Sequence, residues 1–302
     1  MHMRCRQTII WVIILAAVLA AAPAQARRSV QDQLGRTVSV PEHPQRVIAL
    51  APSITEIIFA LDRQSCLAGI TRYSDYPPET AGIPRVGVYV QPDLEKILAL
   101  NPDLCIAIKD GNPEQVARRL EGLNVPVYAV DPRNLDGVMQ TIGEIGDLLN
   151  AREQAEALVG RMRSRIDFVR ARIAEASTRP RVFFQIGISP IVSAGTDTFA
   201  NEIIELAGGE NLAKGETAYP RYSREQLLAL SPDVIVITSM DRGGVFEAAR
   251  AEWEKWTQIP AARNHRIHLV DSNIFDRPTP RLVEALELMA RLIHPEQFEA
   301  AP

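Results

Sequence analysis

Apolar and polar positions in residues 46–133 form two alternating kinds of segment. Short continuous apolar runs, such as Leu104–Ile108 and Val127–Val130, are typical of strands that are buried on both faces of a parallel sheet. Segments with apolar residues at helical spacing stand between these runs and predict helices over about 94–100 and 113–123. Strands that alternate with helices predict an α/β fold, in which helices cover the faces of a parallel sheet.

A proline separates the first strand and helix of this region. Arg46–Leu50 is an apolar run that predicts a strand, and Pro52 ends it. Ser53 followed by Glu56 has the spacing of a capping box, so we expect an apolar helix to begin there. Leu67–Ile70 predicts the next strand, and the two prolines in the segment after it predict a loop.

The pattern changes between residues 134 and 177, where neither a proline nor a strand-like apolar run occurs. Leu158, Met162 and Ile166 recur close to the helical period, and charged residues fill the positions between them. This pattern predicts one or two helices, the second of them long. A long helix between two α/β regions favours a stiff connection over a flexible linker.

The α/β pattern begins again after residue 180. Arg181–Gln185 resembles the first strand of the earlier region, and Val234–Thr238 and Ile267–Val270 predict further strands. This restart indicates two α/β lobes. The predicted divisions of the chain are a signal peptide at 1–26, an N-terminal extension at 27–45, an N-terminal lobe at 46–133, a helical connection at 134–179 and a C-terminal lobe at 180–302.

Residues 94–108 and 224–238 carry nearly the same sequence. Each has a glutamate, an Ile or Leu two positions later, then Leu-Ala-Leu and a Pro-Asp pair before an apolar run. The period is longer than that of solenoid repeats, so the duplication indicates two similar lobes. Glu95 and Glu225 then occupy equivalent places, one in each lobe. Matched acidic points on two lobes suit docking onto a twofold-symmetric partner.

The two glutamates also have an ordinary structural explanation. Asp93 and Ser223 stand where N-caps are expected, and Ser223 with Gln226 has the spacing of a capping box. Glu95 and Glu225 therefore fall in the first helical turn, where a carboxylate interacts favourably with the helix N-terminus. This explains each glutamate by itself, but it does not explain why their positions match.

The first residues have the features of an export signal. Arg4 and Arg6 precede an apolar run over residues 9–22, and a small-residue cleavage pattern ends at Ala26. We therefore expect export and cleavage after Ala26, and because no cysteine stands at a lipoprotein-type site we expect no lipid anchor. The formal charge of −4, without basic runs, argues against nucleic-acid binding.

No catalytic or metal-binding motif stands out in the sequence. The five histidines lack metal-site spacing, and neither a P-loop nor a nucleophile elbow is present. We therefore predict no metal and no resident cofactor, and an exported α/β enzyme is kept as the alternative from another class. Cys66 and Cys105 are expected to be separate buried thiols, although an exported chain would permit a disulfide.

Tyrosines and polar residues are concentrated near the ends of predicted strands and before the two glutamate-bearing helices. These positions are Tyr73, Tyr89, the expected loop Gln185–Pro190, Tyr219 and Asn273–Arg277. In open α/β sheets, ligands bind beyond the carboxyl ends of the strands. The recurrence of such residues at one end of both lobes predicts a shared ligand cleft.

Six segments together resemble those of a known family. They are Arg46–Leu50, the Tyr-Ser-Asp-Tyr-Pro-Pro of 73–78, Glu95–Asp103, Gln185–Pro190, Ser223–Gln226 and Phe275–Arg281. They resemble the periplasmic substrate-binding proteins for cobalamin, ferric siderophores and haem, and within that family they are most similar to the cobalamin binders. The resemblance implies two Rossmann-like lobes joined by a long rigid helix, the helical-backbone type of metal receptor, with the ligand between the lobes.

The same resemblance implies roles for individual residues. Glu95 and Glu225 would engage arginines on the two subunits of an inner-membrane ABC permease, and the protein would act as a periplasmic monomer. The residues that would lie against a corrinoid ligand are Tyr73, Asn273, Ile274, Phe275, Asp276 and Arg277. Tyr89 and Tyr219 stand where the cobalamin binders have tryptophans.

Two departures from the cobalamin binders keep a ferric siderophore or haem open as the ligand. Ile108 and Ile186 stand where those proteins have aromatic residues. Val30–Val40, which predicts two extended stretches about Gly35, is more similar to the siderophore and haem binders. Aromatic and apolar walls with a few polar groups suit any large flat macrocycle.

Overall fold

The computed structural model describes residues 26–238 and 245–298, so the predicted signal peptide lies outside the described residues apart from Ala26. The strands, numbered in chain order, are β1 Arg27–Gln31, β2 Thr37–Pro41, β3 Val47–Ala49, β4 Leu67–Ile70, β5 Gly87–Val88, β6 Gln91–Pro92, β7 Leu104–Ile108, β8 Val127–Val130, β9 Arg181–Ile188, β10 Ile191–Ser193, β11 Glu210–Asn211, β12 Arg221–Tyr222, β13 Val234–Ile237 and β14 Ile267–Leu269.

The α-helices, numbered likewise, are α1 Pro52–Ala60, α2 Leu94–Ala99, α3 Glu114–Gly122, α4 Leu135–Leu148, α5 Arg152–Ile173, α6 Phe199–Leu206, α7 Arg224–Leu230, α8 Val245–Glu254, α9 Pro260–Arg263, α10 Ser272–Phe275 and α11 Leu282–Ile293. Short 3-10 helices lie at Gln64–Cys66, Pro78–Gly82 and Pro295–Gln297. Within the described ranges, we find no helix with both the length and the apolar character that crossing a membrane requires.

Each lobe is built on a sheet with a parallel centre. The N-terminal lobe has a four-stranded parallel sheet in the order β4-β3-β7-β8. The C-terminal lobe has a six-stranded sheet in the order β12-β10-β9-β13-β14, with β11 also beside β9. Every residue of β3, β7, β8 and β13 is buried, which explains why these strands are continuous apolar runs in the sequence. The predicted two-lobed α/β fold is confirmed, whereas the lobe boundaries stay predictions.

Alternate residues of each sheet pack into different apolar clusters. In the N-terminal sheet, Ile48 and Cys105 pack on the side of α2 and α3, whereas Val47 packs on the opposite side. In the C-terminal sheet, Phe183 packs on the side of α8, whereas Phe184 packs on the opposite side. Those opposite sides belong to one cluster, which also includes residues of α1, α4, α5, α6 and α11. We call it the shared cluster.

Two helices connect the sheets along the chain. α4 begins beside Asn134, whose side chain accepts a hydrogen bond from the Gly137 amide at 2.7 Å. α5 is 22 residues long, buries an apolar stripe that includes Leu158 and Met162, and packs against both α4 and α11. The sequence predicted one or two helices with a long last one, and the structure has two, of which the second is the longer. The stiffness of α5 stays a prediction.

The predicted capping box at Ser53 is wrong. α1 begins at Pro52, whose fixed φ and missing N–H suit the first helical position, and the preceding Ala51 makes no side-chain cap. Ser53 is therefore inside the helix and buried. Glu56 lies one turn further along and, as described below for the site, its carboxylate has partners outside the helix.

The predicted loop at Gln185–Pro190 is also wrong. β9 continues through Ile188 and turns back as a hairpin into β10. Gln185 is buried within β9, where its side-chain oxygen accepts a hydrogen bond from the Trp253 indole at 2.8 Å. The length of β9 could not be read from its apolar run, because a glutamine with an internal hydrogen-bond partner interrupts that run.

Smaller predictions about the N-terminal extension and the cysteines are confirmed. β1 and β2 form an antiparallel hairpin, and Gly35 in its turn has a φ of +76°, which favours glycine. Cys66 and Cys105 are free and buried. Burial raises the pKa of the Cys66 thiol to about 11 and that of Cys105 to about 12, so both thiols are unreactive at neutral pH.

Candidate functional site

Tyr89 is held at the edge of the N-terminal lobe by the segment that follows β7. Its ring packs on Gly111, where an added Cβ would lie 2.0 Å from Tyr89 Cε2, so only glycine fits. The Asn112 side chain donates to the Tyr89 carbonyl at 2.6 Å and to the Leu50 carbonyl at 2.9 Å, and it accepts from the Ile108 amide at 2.7 Å. Asn112 therefore ties Tyr89 to the carboxyl ends of β3 and β7.

Tyr219 is the second tyrosine that the sequence predicts at the cleft. It belongs to the C-terminal lobe and is 57% exposed. Burial of its hydroxyl raises the pKa of Tyr219 above its ordinary value, and the carboxylates of Asp110 and Asp276 and the Tyr89 hydroxyl raise it further. Asp110 and Tyr89 come from the N-terminal lobe, whereas Tyr219 and Asp276 come from the C-terminal lobe. Asp110 precedes Gly111, which lies against the Tyr89 ring, and Asp276 precedes Arg277, which contacts Glu56 of the N-terminal lobe. These residues therefore lie near the junction of the two lobes, which we call the cleft.

Asp276 is an unusual carboxylate of this cleft. Part of the Asp276 residue is exposed to solvent. Surrounding protein nevertheless desolvates its carboxyl group, which raises the pKa of Asp276 to about 7. The Thr238 hydroxyl, 3.4 Å from Asp276 Oδ2, and the charge of Arg277 act in the opposite direction, whereas Asp271 raises the pKa further. Asp276 is therefore protonated more easily than an ordinary aspartate.

The other predicted ligand residues divide into exposed and packed ones. Tyr73 is 52% exposed in the loop after β4, and Asn273 is half-buried in α10. Phe275 is buried, with its ring centroid 5.8 Å from that of Phe184, and Ile274 packs against the shared cluster. Tyr73 and Asn273 are thus accessible to a ligand, whereas the buried Phe275 ring packs α10 against Phe184.

Arg277 is occupied by acidic partners from the N-terminal lobe. Its Nη1 atom lies 3.4 Å from Glu56 Oε1 and 3.3 Å from Asp75 Oδ1. Arg281, four residues later, makes a bidentate pair with Glu56 at 2.8 and 2.9 Å. The sequence reasoning missed Glu56, and it also missed Asp110. Asp110 had a signal, because it stands two residues after the apolar run of β7 and directly before Gly111.

Residues 47–274 match the family model described as periplasmic binding protein. The chain belongs to this family. It is 29% identical to an uncharacterized ABC transporter substrate-binding lipoprotein of Bacillus subtilis, over 96% of this chain and 98% of that protein. The solved structure of the periplasmic vitamin B12 binding protein of Vibrio cholerae is similar at 30% identity with a TM-score of 0.73, over 85% of this chain and 99% of that chain.

A periplasmic heme binding protein from Pseudomonas aeruginosa is similar as well, at 30% identity with a TM-score of 0.75 over 83% of this chain and 93% of that chain. The family resemblance inferred from the sequence is therefore confirmed. The family is one of binding proteins rather than of enzymes. The roles of individual residues in ligand contact stay predictions.

The two glutamates of this binding protein have equivalent surroundings. Both are exposed, and the burial pattern from Glu95 to Leu100 is the same as that from Glu225 to Leu230. The predicted N-caps are confirmed, because Asp93 accepts from the Lys96 amide and Ser223 forms a capping box. Their contact with a permease stays a prediction.

A cavity of about 530 Å³ lies elsewhere in the binding protein, within the C-terminal lobe. It is bordered by the β9–β10 turn, the N-terminus of α7, and Trp253 and Trp256, whose rings pack edge to face at 5.1 Å. Gln185, Ile188, Ser189 and Pro190, from the segment predicted at the cleft, line it, whereas Tyr73, Tyr89, Tyr219 and residues 273–277 do not. We assign the candidate site to the cleft instead, because the cleft lies between the lobes, whereas this cavity is lined by residues of the C-terminal lobe. Within the described residues, no group of three or more His, Cys, Asp or Glu could hold a metal ion.

Proposed function

We propose that this binding protein captures a corrinoid such as cobalamin in the cleft and delivers it to an inner-membrane ABC importer. The observation that carries the proposal is the junction of the two lobes, where Arg277 contacts Glu56 and Asp75 and where two tyrosines and two aspartates from opposite lobes lie nearby. It is supported by 30% identity to a vitamin B12 binding protein over nearly the whole of that chain. The ligand is carried unchanged, so no catalytic group is needed.

The chemistry of the cleft suits a neutral macrocycle that bears amides. Phenol rings offer flat walls, and the carboxylates of Asp110 and Asp276 accept hydrogen bonds from amide groups such as those around a corrin ring. Haem instead carries two carboxylates, which are best bound by cationic partners. The guanidinium groups of Arg277 and Arg281 beside this site are already paired with acidic side chains.

Haem is the second candidate ligand, and the likeness to the Pseudomonas aeruginosa protein favours it. A tyrosine that ligates ferric iron must lose its phenolic proton. Burial and neighbouring acidic groups raise the pKa of Tyr219, which disfavours the phenolate. This observation, together with the acidic cleft, favours the corrinoid.

Delivery to the importer is proposed to use Glu95 and Glu225. Each is an exposed carboxylate at the first turn of a short helix, one in each lobe. Permease arginines could pair with them through charge-assisted hydrogen bonds. Such pairs steer encounter and set register more than they add affinity.

A titration of the purified mature protein against cyanocobalamin, cobinamide, haem and a ferric siderophore tests the proposed ligand. We expect the lowest Kd for cobalamin. Tyr219→Ala should weaken cobalamin binding by about tenfold, because loss of an aromatic wall costs on the order of 1 kcal/mol or more. Phe168→Ala is the matched control, since Phe168 is 49% exposed on α5, outside the cleft. Saturable binding of a ferric chelate without any corrinoid binding would contradict the proposed ligand.

A further inference from the structure

An ion cluster around the buried carboxylate of Glu56 joins the two lobes beside the cleft. Glu56, on α1 of the N-terminal lobe, has a side chain only 3% exposed. Its carboxylate receives Arg281 Nε at 2.8 Å and Nη2 at 2.9 Å, and Arg277 Nη1 at 3.4 Å. Both arginines belong to the C-terminal lobe. We call Glu56, Asp75, Arg277 and Arg281 the interlobe ion cluster.

The interlobe ion cluster connects the two segments that carry predicted ligand residues. Arg277 Nη1 also lies 3.3 Å from Asp75 Oδ1, and the Arg281 guanidinium stacks 3.8 Å from the ring centroid of Tyr76. Asp75 and Tyr76 belong to the loop of residues 71–78, which carries Tyr73. Arg281 Nη2 further lies 3.4 Å from the Asn273 carbonyl, in the segment of residues 273–277.

The loop of residues 71–78 is fixed to α1 as well. The buried hydroxyl of Ser74 lies 3.1 Å from Thr55 Oγ1 and 2.9 Å from Thr71 Oγ1. Arg85 Nη1 donates to the Ser74 carbonyl at 2.6 Å. Thr55 and Glu56 are adjacent on α1, so one short stretch of helix holds the loop of its own lobe and the facing segment of the other lobe.

The charges of the cluster balance, since two carboxylates face two guanidinium groups. A buried ion pair is weak evidence for stability, because desolvation of the charges offsets much of their attraction. Its better-attested effect is to select one arrangement of the groups that it joins. Bidentate Arg–carboxylate geometry and the stacked Tyr76 ring add direction to that arrangement.

We propose that Glu56 is the positioning residue of the ligand cleft. It holds residues 273–277 against residues 71–78, so that the ligand-facing parts of both lobes are set before the ligand arrives. Glu56 is too deeply buried to touch the ligand itself. The relevance of this positioning to a corrinoid rests on the proposed function, whereas the positioning of the two segments does not.

Hydrogen exchange of the ligand-free protein tests the positioning directly. Glu56→Gln keeps the shape of the side chain and removes its charge, so exchange should accelerate in residues 71–78 and in residues 273–277. We expect a change on the order of tenfold, as is typical of coupling between linked sites. The strands β7 and β13 should exchange as in the wild type. Glu287→Gln is the matched control, because Glu287 makes a bidentate pair with Arg165 at 2.7 and 2.8 Å without joining the two segments.

The double variant Glu56→Gln/Arg281→Met keeps the test decisive if Glu56→Gln folds poorly. It removes one charge of each sign, so it should recover stability while the two segments still exchange faster. Unchanged exchange in either segment, or an equal acceleration throughout the protein, would overturn the proposal. A titration with cyanocobalamin separates the two proposals. Wild-type protein that fails to bind cobalamin refutes the proposed ligand only, whereas a Glu56→Gln protein with mobile segments and unchanged cobalamin affinity overturns the role of Glu56 in binding.

Discussion

The two copies of the repeated segment form the same structure, a capped helix followed by a Pro-Asp pair and a strand, and differ in some of the residues that form it. Each helix has an N-cap, and each is followed within two residues by a residue in the left-handed region, Asn101 with φ +45° and Ser231 with φ +47°. The aspartates of the two Pro-Asp pairs have matching roles. Asp103 accepts hydrogen bonds from the Gln45 and Arg46 amides, whereas Asp233 accepts one from the Arg181 amide. These aspartates anchor the start of β3 and β9 beside them.

The caps and the glutamates differ between the copies. The first copy is capped by the Asp93 carboxylate and the second by the hydroxyl of a capping box. The pKa of Glu225 lies below its ordinary value because of its own backbone amide and the Ser223 hydroxyl. The residue type of the cap can vary because the side chains of both Asp and Ser can accept a hydrogen bond from the first amides of a helix. Both glutamates share the first-turn position at a helix N-terminus, so only a functional measurement separates that role from the proposed contact with a permease.

The largest effect is expected when both glutamates are removed. Glu95→Ala with Glu225→Ala should lower uptake of the ligand by on the order of tenfold in vesicles that contain the permease, with each single change less severe. Ligand affinity should be unchanged. Glu114→Ala is the control, because Glu114 is an exposed first-turn glutamate of α3 without a counterpart in the repeat. Normal uptake by the double variant would leave both glutamates as partners of the helix N-terminus only.

A smaller effect is expected from the anchoring aspartates, and it should differ between the copies. Asp103→Ala should lower the free energy of unfolding by about 2–3 kcal/mol, because two backbone amides lose a charged acceptor. Asp233→Ala should cost about 1–1.5 kcal/mol, because one amide loses its acceptor. Urea unfolding monitored by circular dichroism measures both values. Equal costs would show that the second hydrogen bond of Asp103 contributes nothing.

The smallest effect is expected from the two caps and is visible only on acidification. The Lys96 amide, which donates to the Asp93 carboxylate, lowers the pKa of Asp93 below its ordinary value of 3.8. The ionised cap therefore stabilises the folded state above pH 3.8, and this contribution is lost as the pH falls through the lower folded pKa. Asp93→Ser gives the first copy the cap residue of the second. Its melting temperature, compared with the wild type from pH 6 to pH 3, should approach the wild-type value as the pH falls. A constant difference would rule out a charged cap.

Much of the fold could be predicted because its signals are local. β4, β7 and β8 begin and end where the apolar runs predict, since a strand buried on both faces needs apolar residues at every position. The N-caps Asp93 and Ser223 were predictable for the same reason, because a cap acts on amides only two or three residues away.

The candidate site could be predicted only in part, because its decisive contacts join distant residues. Tyr89 and Tyr219 were expected near a cleft, but nothing in the sequence around Glu56 indicates a partner 225 positions later. The local pattern at Ser53 and Glu56 was read as a cap, since the spacing fits one. Burial of a carboxylate between two lobes depends on how the lobes meet, which no local pattern describes.

The shared cluster has a consequence for how this chain unfolds. Because it lies against both sheets and continues through α4, α5, α6 and α11, neither lobe can bury its inner face alone. A fragment cut at residue 134 or at residue 180 would expose apolar surface that the whole protein covers, and it would aggregate. Two lobes that look separable in outline therefore form one cooperative unit, and heating or urea should produce one transition rather than two.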